Sequence, residues 1–378
     1  MTAGGGAAER LDALAPRLRR RPDIEAHDLV AADASDGLIL AEAEPIAGDV
    51  VVVGDRYGAL TLPVVAADPA VRVRVHQDAL TGERAVRANA RDLGIALDAV
   101  TWHDLGPELA RDARLVLLQL PRSLDALDEI AQTIAAAASP DVRVVAGGRV
   151  KHMTLGMNDV LGRHFSRVTA TRASRKSRVL HASGPLPGRG EAWPRSQHHP
   201  DLGLTVCAHG AAFAGTSVDI GTRFLLEFLP RMRGADTAID LACGTGVLAT
   251  MLARERPGLE VIATDQSAAA VSSARATAAA AGVAERVRVV RDDGLGAQAD
   301  ATADLILLNP PFHSGAAVTA AIAPRLFADA ARVLRPGGEL WCVYNSPLGY
   351  RSVLERVVGP TRQAGRNAKF TVTVSTRR

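Results

Sequence analysis

The chain has 378 residues, 47% of them hydrophobic and 22% charged, enough to bury more than one core, and its length predicts two domains. Its longest apolar stretches, such as residues 130–138, carry Gln or Thr and are shorter than the run that crosses a bilayer, so no membrane span is expected. Cys207, Cys243 and Cys342 lie far apart and form no CxxC pair, which argues against a disulfide framework and a zinc site and predicts that no metal is bound. The opening MTAGGGAAER has neither a basic start nor an apolar core, so no secretory signal is read there and the cytoplasm is the expected compartment. A net charge of +3 is compatible with nucleic acid without pointing to it.

In chain order, residues 50–53, 71–75, 115–118 and 142–146 read as strands and 80–93 and 124–138 as helices. Between 163 and 178 the chain carries Arg163, His164, Arg167, Arg172, Arg175, Lys176 and Arg178 with no acidic residue. This suits a strip facing RNA phosphates, with Arg172, Arg175 and Lys176 as candidate contacts; a solvated strand pair with basic outer faces explains it equally well. Residues 181–204, rich in Pro, Gly and His, lack a sustained apolar period and read as a linker. The expected division is therefore 1–180, a linker over 181–204, and 205–378.

The second half alternates apolar runs at 237–241, 260–264, 286–290, 304–308 and 339–344 with helical stretches at 268–281 and 317–334. Both halves thus predict an α/β fold of two tandem Rossmann-like domains with doubly wound, mostly parallel sheets. The halves also align. Gly58 stands 188 residues before Gly246, Gln77 188 before Asp265, and Gln119 190 before Asn309, which reads as a duplication, although any two α/β domains share some spacing. Only the second half keeps the polar residues: Val52 stands for Asp240, Arg56 for Gly244 and Gln77 for Asp265. The first half is read as a degenerate, catalytically silent copy that serves RNA binding or scaffolding.

The segment AIDLACGTGVLATML runs from a strand through Asp240, Cys243, Gly244 and Gly246 into a helix, the setting of a nucleotide-binding glycine loop. With Ala249 closing the pattern, a dinucleotide stays possible on this loop alone. Asp265 ends the next strand, where a carboxylate accepts from both ribose hydroxyls of an adenosine, and Asp292 or Asp293 after the third can accept from the adenine amine. Each of these acids can instead cap a helix.

The fourth strand ends in Asn309, Pro310, Pro311 and Phe312. An exocyclic base amine is a poor nucleophile because its lone pair is conjugated into the ring. The Asn309 side-chain oxygen and the Pro310 carbonyl can each accept one amine proton, orienting the nitrogen. The prolines stiffen the loop, and Phe312 offers a stacking face.

Taken together, DLACGTG, the Asp265 strand end and NPPFH resemble the amino methyltransferases of the class I S-adenosylmethionine fold. The chain as a whole is similar to bacterial ribosomal RNA guanine-N2 methyltransferases of the RsmC and RlmG type, through FAGTSVDIGTRFLLEFLP (213–230), VYNSPLGY (343–350), NAKFTV (367–372), YGALTLPV (57–64) and LLQLPRSL (117–124). That family pairs a degenerate N-terminal domain with a catalytic one. The resemblance implies S-adenosylmethionine as cofactor, ribosomal RNA or a ribosomal subunit as partner, and a monomer. It places Phe213, Asp219 and Gly221 over the cofactor, and Lys369 and Phe370 near the target base; His313, next to the motif, is read as structural or as a substrate contact and not as a catalytic base. Ordinary roles compete: Asp219 as a helix cap and Phe370 as a core strand residue. Length and the NAKF ending lean toward the large-subunit enzyme. The rivals are methylation of a protein glutamine or of adenine N6, and a non-catalytic RNA-binding or assembly protein.

Overall fold

The structure, a computed structural model, describes residues 6–26, 29–188, 190, 192–311 and 316–378, with side chains left aside for 316–321. It forms two compact units that divide between Ala192 and Trp193.

In the first unit, strands β1 (Asp49–Val53), β2 (Arg72–His76), β3 (Val100–Trp102), β4 (Leu115–Gln119), β5 (Arg143–Arg149), β6 (Phe165–Ala170) and β7 (Ser177–Pro185) form a sheet in the order β3-β2-β1-β4-β5-β7-β6. The second unit opens with a hairpin, β8 (Arg195–His199) and β9 (Leu204–Ala208). Strands β10 (Thr237–Leu241), β11 (Glu260–Asp265), β12 (Val287–Arg291), β13 (Ala303–Leu308), β14 (Leu334–Asn345), β15 (Thr361–Arg366) and β16 (Phe370–Thr376) follow, in the order β12-β11-β10-β13-β14-β16-β15. The same order occurs twice, five parallel strands followed by an antiparallel pair, so the fold class read from the sequence is the one observed.

The central strands are runs of β-branched and aliphatic residues because both faces are covered. Val50 and Val52 enter one core and Val51 and Val53 the other, the period of two that a strand imposes. Some helices begin where polar caps stand. Ser123 and Ser267 accept from Ala126 N and Ala270 N at 3.2 and 3.1 Å, and Asp33 and Asp36 form a capping box at the helix Ala34–Ala43.

The break between the units lies within the 181–204 read as a linker, but strands occupy both ends of that segment. Residues through Pro185 continue β7 against β5 and β6, and 195–208 fold back as the β8–β9 hairpin. Strand β9 docks on the helix Ala268–Ala280, where Cys207 N donates to Thr277 Oγ1 at 3.0 Å and His209 N to Ser273 Oγ at 2.9 Å. The glycines and prolines that suggested a linker sit at strand ends and turns, such as Gly184 and Gly203 at positive φ. Half-exposed antiparallel strands also show no continuous apolar run.

The first unit's equivalent of the glycine loop is closed on itself. Asp55, 2% exposed, accepts from Gly58 N at 2.8 Å, Leu60 N at 3.1 Å and Thr61 N at 2.7 Å, so its carboxylate consumes donors that a ligand would otherwise meet. The preceding chain folds over this loop: Tyr57 donates to Asp23 at 2.6 Å, and the Arg20 guanidinium lies 4.7 Å over the Tyr57 ring. Asp55→Ala strands three buried donors and is expected to destabilise the first unit by about 3 kcal/mol or more. Urea unfolding followed by amide exchange of residues 50–67 checks this; an unchanged midpoint would contradict it.

Candidate active site

Strand order reverses between β10 and β13, the position where open α/β sheets bind ligands at the carboxyl ends of their strands. Leu241 pairs with Leu308, so the loop after β10 and Asn309 after β13 emerge side by side. The loop is wound by left-handed residues at Ala242 (φ 59°), Gly244 (φ 54°) and Gly246 (φ 75°). A methyl group on Gly246 would stand 2.7 Å from Ala274 Cβ, so this glycine sets the close approach of loop and helix. At Gly244 a methyl group would meet nothing within 4 Å; the backbone there faces open space.

Asp265, at the end of β11, orients its carboxylate on Gly244 N at 3.0 Å and Ser267 N at 2.9 Å, bridging the glycine loop to the next helix. Asp240 is 1% exposed. Its Oδ2 accepts from Ala249 N at 2.9 Å, while Oδ1 is buried with no hydrogen-bond partner. Burial, with the nearby Asp265 charge adding to it, pushes the Asp240 carboxyl up to about 7. Asp292 accepts from Asp293 N at 2.8 Å and Ala297 N at 2.7 Å and shapes the turn after β12; Asp293 pairs with Arg325. The Cys243 side chain lies in the core, and burial holds its thiol well above the usual range, so only its backbone belongs to the loop.

Asn309 has a defined orientation. Its Nδ2 donates to Asp219 Oδ2 at 2.9 Å and Thr222 Oγ1 at 3.1 Å, while its Oδ1 is buried without a partner. Asp219 Oδ2, which already accepts from two backbone N–H groups, is an acceptor, so the amide N–H group faces it and the oxygen points away. Asp219 is itself held as the cap of the helix Ile220–Leu226, accepting from Gly221 N at 2.8 Å and Thr222 N at 3.1 Å. Gly221 leaves room for this: a methyl group there would stand 3.0 Å from Asp219 Oδ2, 3.2 Å from Phe370 Cε1 and 3.4 Å from Asn309 Nδ2.

The other expected residues divide. Phe370 is a core residue whose ring edge reaches this cluster, and Lys369 Nζ lies 5.3 Å over that ring. Phe213 is exposed, Pro310 buried and Pro311 exposed. Phe312 and His313 lie outside the described residues. Arg172, Arg175 and Lys176 stand exposed in the turn between β6 and β7, but His164 leaves the basic strip: it is buried, 2.9 Å from Asp128. Thr222, the second anchor of the Asn309 amide, escaped sequence reading; its only signal was its place three residues after a capping Asp.

Two family models divide the chain as the sheets do. One described as the RLMG N-terminal domain matches residues 10–185, and one described as the methyltransferase small domain matches 203–374. A ribosomal RNA large subunit methyltransferase G from Streptomyces avermitilis is 37% identical over 372 residues, covering 94% of this chain and 95% of its own. One from Pseudomonas aeruginosa is 35% identical over 361 residues, covering 94% and 96%. The chain belongs to the ribosomal RNA large subunit methyltransferase G family. Among solved structures, the T. thermophilus 16S rRNA N2 methyltransferase (RsmC), in complex with AdoMet and guanosine, shares the fold with a TM-score of 0.73 over 92% of each chain at 23% identity. Among the described residues, this family member has no group of three His, Cys, Asp or Glu side chains placed to hold a metal, and no helix long and apolar enough to cross a membrane.

The raised Asp240 carboxyl has a consequence for stability. Between about pH 4 and pH 7 the folded protein keeps a proton that the unfolded chain has released, so stability falls as pH rises through this window and the cost is complete above it. Asn keeps the shape and the acceptor for Ala249 N without the charge. Asp240→Asn is expected to stabilise the ligand-free protein on the order of 3 kcal/mol at pH 8 and to change little at pH 4. Urea midpoints at the two pH values check this; equal effects at both would contradict it.

Proposed function

We propose that this chain transfers a methyl group from S-adenosylmethionine to the exocyclic N2 amine of a guanine in large-subunit ribosomal RNA. The observation that carries the reading is the Asn309 amide, clamped through its nitrogen so that a buried carbonyl oxygen is left to accept a proton from the substrate. The names of the family's members supply the substrate class.

The residues fit the cofactor. The loop 242–246 presents its backbone to open space at Gly244, Asp265 is positioned for a ribose, and the unpartnered Oδ1 of Asp240 suits a cationic group. When bound, S-adenosylmethionine supplies an electrophilic methyl group on a sulfonium. Asn309 Oδ1 and the Pro310 carbonyl each accept one proton of the guanine amine, turning the nitrogen lone pair out of conjugation and toward the methyl. These two dipoles also favour the positive charge that develops on nitrogen as it is methylated. The proton is lost to solvent after transfer, so no strong base is required. In this reading Phe312 stacks on the base, His313 and Lys369 touch the RNA, and the guanine is taken out of its stack to reach the site.

The first unit supports the division of labour. Its counterpart of Asn309, Gln119, donates through Nε2 to Asp36 and accepts at Oε1 from Ser35 Oγ at 3.5 Å, so the copy has no oriented open acceptor. A non-catalytic chain would have lost the Asn309 arrangement in the same way. The first unit then serves RNA binding, through the exposed Arg172, Arg175 and Lys176. The protein acts as a cytoplasmic monomer.

Replacing these three residues by Ala is expected to weaken RNA binding and to flatten its dependence on log salt by about 0.7–0.9 for every phosphate that is no longer neutralised, with cofactor affinity unchanged. An unaltered salt slope in a filter-binding titration would return them to a solvated surface.

The activity is tested by mass mapping of ribosomal RNA nucleosides from cells lacking the protein, complemented with wild type or with Asn309→Ala. One N2-methylguanosine of the large-subunit RNA is expected to vanish without the protein, return with wild type and stay absent or much reduced with the variant. In single-turnover assays Asn309→Ala should slow transfer by about a hundred- to thousandfold with little change in cofactor or RNA affinity. Asn309→Asp should be no better, since it sets a carboxylate oxygen against Asp219 Oδ2 in place of an N–H donor. A wild-type rate for either variant would sink the mechanism.

A further inference from the structure

A second buried carbonyl stands beside the first. Asn345 is the last residue of β14, the strand next to β13, and its Oδ1 is buried without a hydrogen-bond partner. Leu308 pairs in parallel with Cys342, which sets Asn309 level with Val343; by alternation Asn345 projects from the same face of the sheet. Asn345 also pairs with Phe370 across the antiparallel ladder, and the Phe370 ring edge lies at Gly221 beside the Asn309 amide. Strand spacing puts the two Asn backbones about 5 Å apart sideways and about 7 Å along the strand, close enough for both side chains to reach one base. The turn that follows is held fast: Ser346 N donates to Lys369 O at 2.9 Å, and the Ser346 and Thr371 hydroxyls are 2.9 Å apart.

We propose that Asn345 accepts a hydrogen bond from the N1–H of the target base and thereby selects guanine over adenine. This rests on the guanine pocket proposed above. Guanine carries its N1–H next to the 2-amine, so two side-chain carbonyls on neighbouring strand ends meet two adjacent donors of one base edge. Adenine has a lone pair at N1. Against it Asn345 Oδ1 would stay unpaired and face another acceptor, and buried polar groups left unpaired are what reject a wrong substrate.

The test measures binding of two nucleosides to the full-length protein saturated with S-adenosylhomocysteine: guanosine, and 2-aminopurine riboside, which keeps the 2-amine and lacks N1–H. Wild type is expected to prefer guanosine by about tenfold. Asn345→Ala should lose about tenfold for guanosine and stay within about twofold for 2-aminopurine riboside, whose unchanged binding also shows that the variant is folded. Asn345→Asp, which keeps an acceptor, should keep the preference. Equal weakening of both nucleosides by Asn345→Ala, no weakening of guanosine, or no wild-type preference would each overturn the role of Asn345 while leaving the guanine pocket standing. Wild type that binds neither nucleoside removes the pocket, and this inference with it.

Discussion

The site depends on one constraint, the pairing of the Asn309 amide nitrogen with the Asp219 carboxylate. An amide can turn over and exchange its two ends at little cost in shape, and only a partner of fixed polarity forbids that. Asp219 has such polarity because it is committed to capping a helix, with Gly221 N and Thr222 N already donating to it. The helix cap is therefore also the device that aims the Asn309 oxygen. The helix-cap reading of Asp219 is the one observed, and the same carboxylate holds the Asn309 amide.

The first unit has the same strand order without the opening. Asp33 caps the helix Ala34–Ala43 much as Asp219 caps its own, and Gln119 ends the strand that corresponds to Asn309. The side chains there satisfy each other: Gln119 pairs with Asp36 and Ser35, and Asp55 takes up the amides of the loop. A closed polar network costs little to keep dry. In the second unit one oxygen of Asp240 and the side-chain oxygen of Asn309 are buried without a partner, an arrangement that costs folding stability unless a ligand completes it.

The two units also share an electrostatic cost. Asp36 and Asp240 are each held up to about 7, in both cases chiefly by burial. In the first unit the acid is tied to a neighbouring amide and serves the fold. In the second, one oxygen of Asp240 is left without a donor beneath the glycine loop, where a positively charged ligand would favour ionisation.

What the sequence by itself determined was periodic or local. Runs such as Val50–Val53 marked buried parallel strands, the spacing of about 188 residues marked two units of one strand order, and DLACGTG and NPP marked the strand ends where the sheet order reverses, because each signal lies within a few adjacent residues. The break between the units, at Ala192 and Trp193, fell inside the 181–204 read as a linker, but the strands at both ends of that segment were not legible. The glycines and prolines of 181–204 mark turns as readily as linkers, and β7 and β8 become strands only through pairing with β5 and β9. The orientation of Asn309, and the places of Thr222 and Asn345 beside it, were decided by tertiary structure alone. Their partners are 87 and 90 residues away or on a neighbouring strand, and a hydrogen bond between side chains so distant in the chain leaves no pattern in sequence for a period or a motif to reveal.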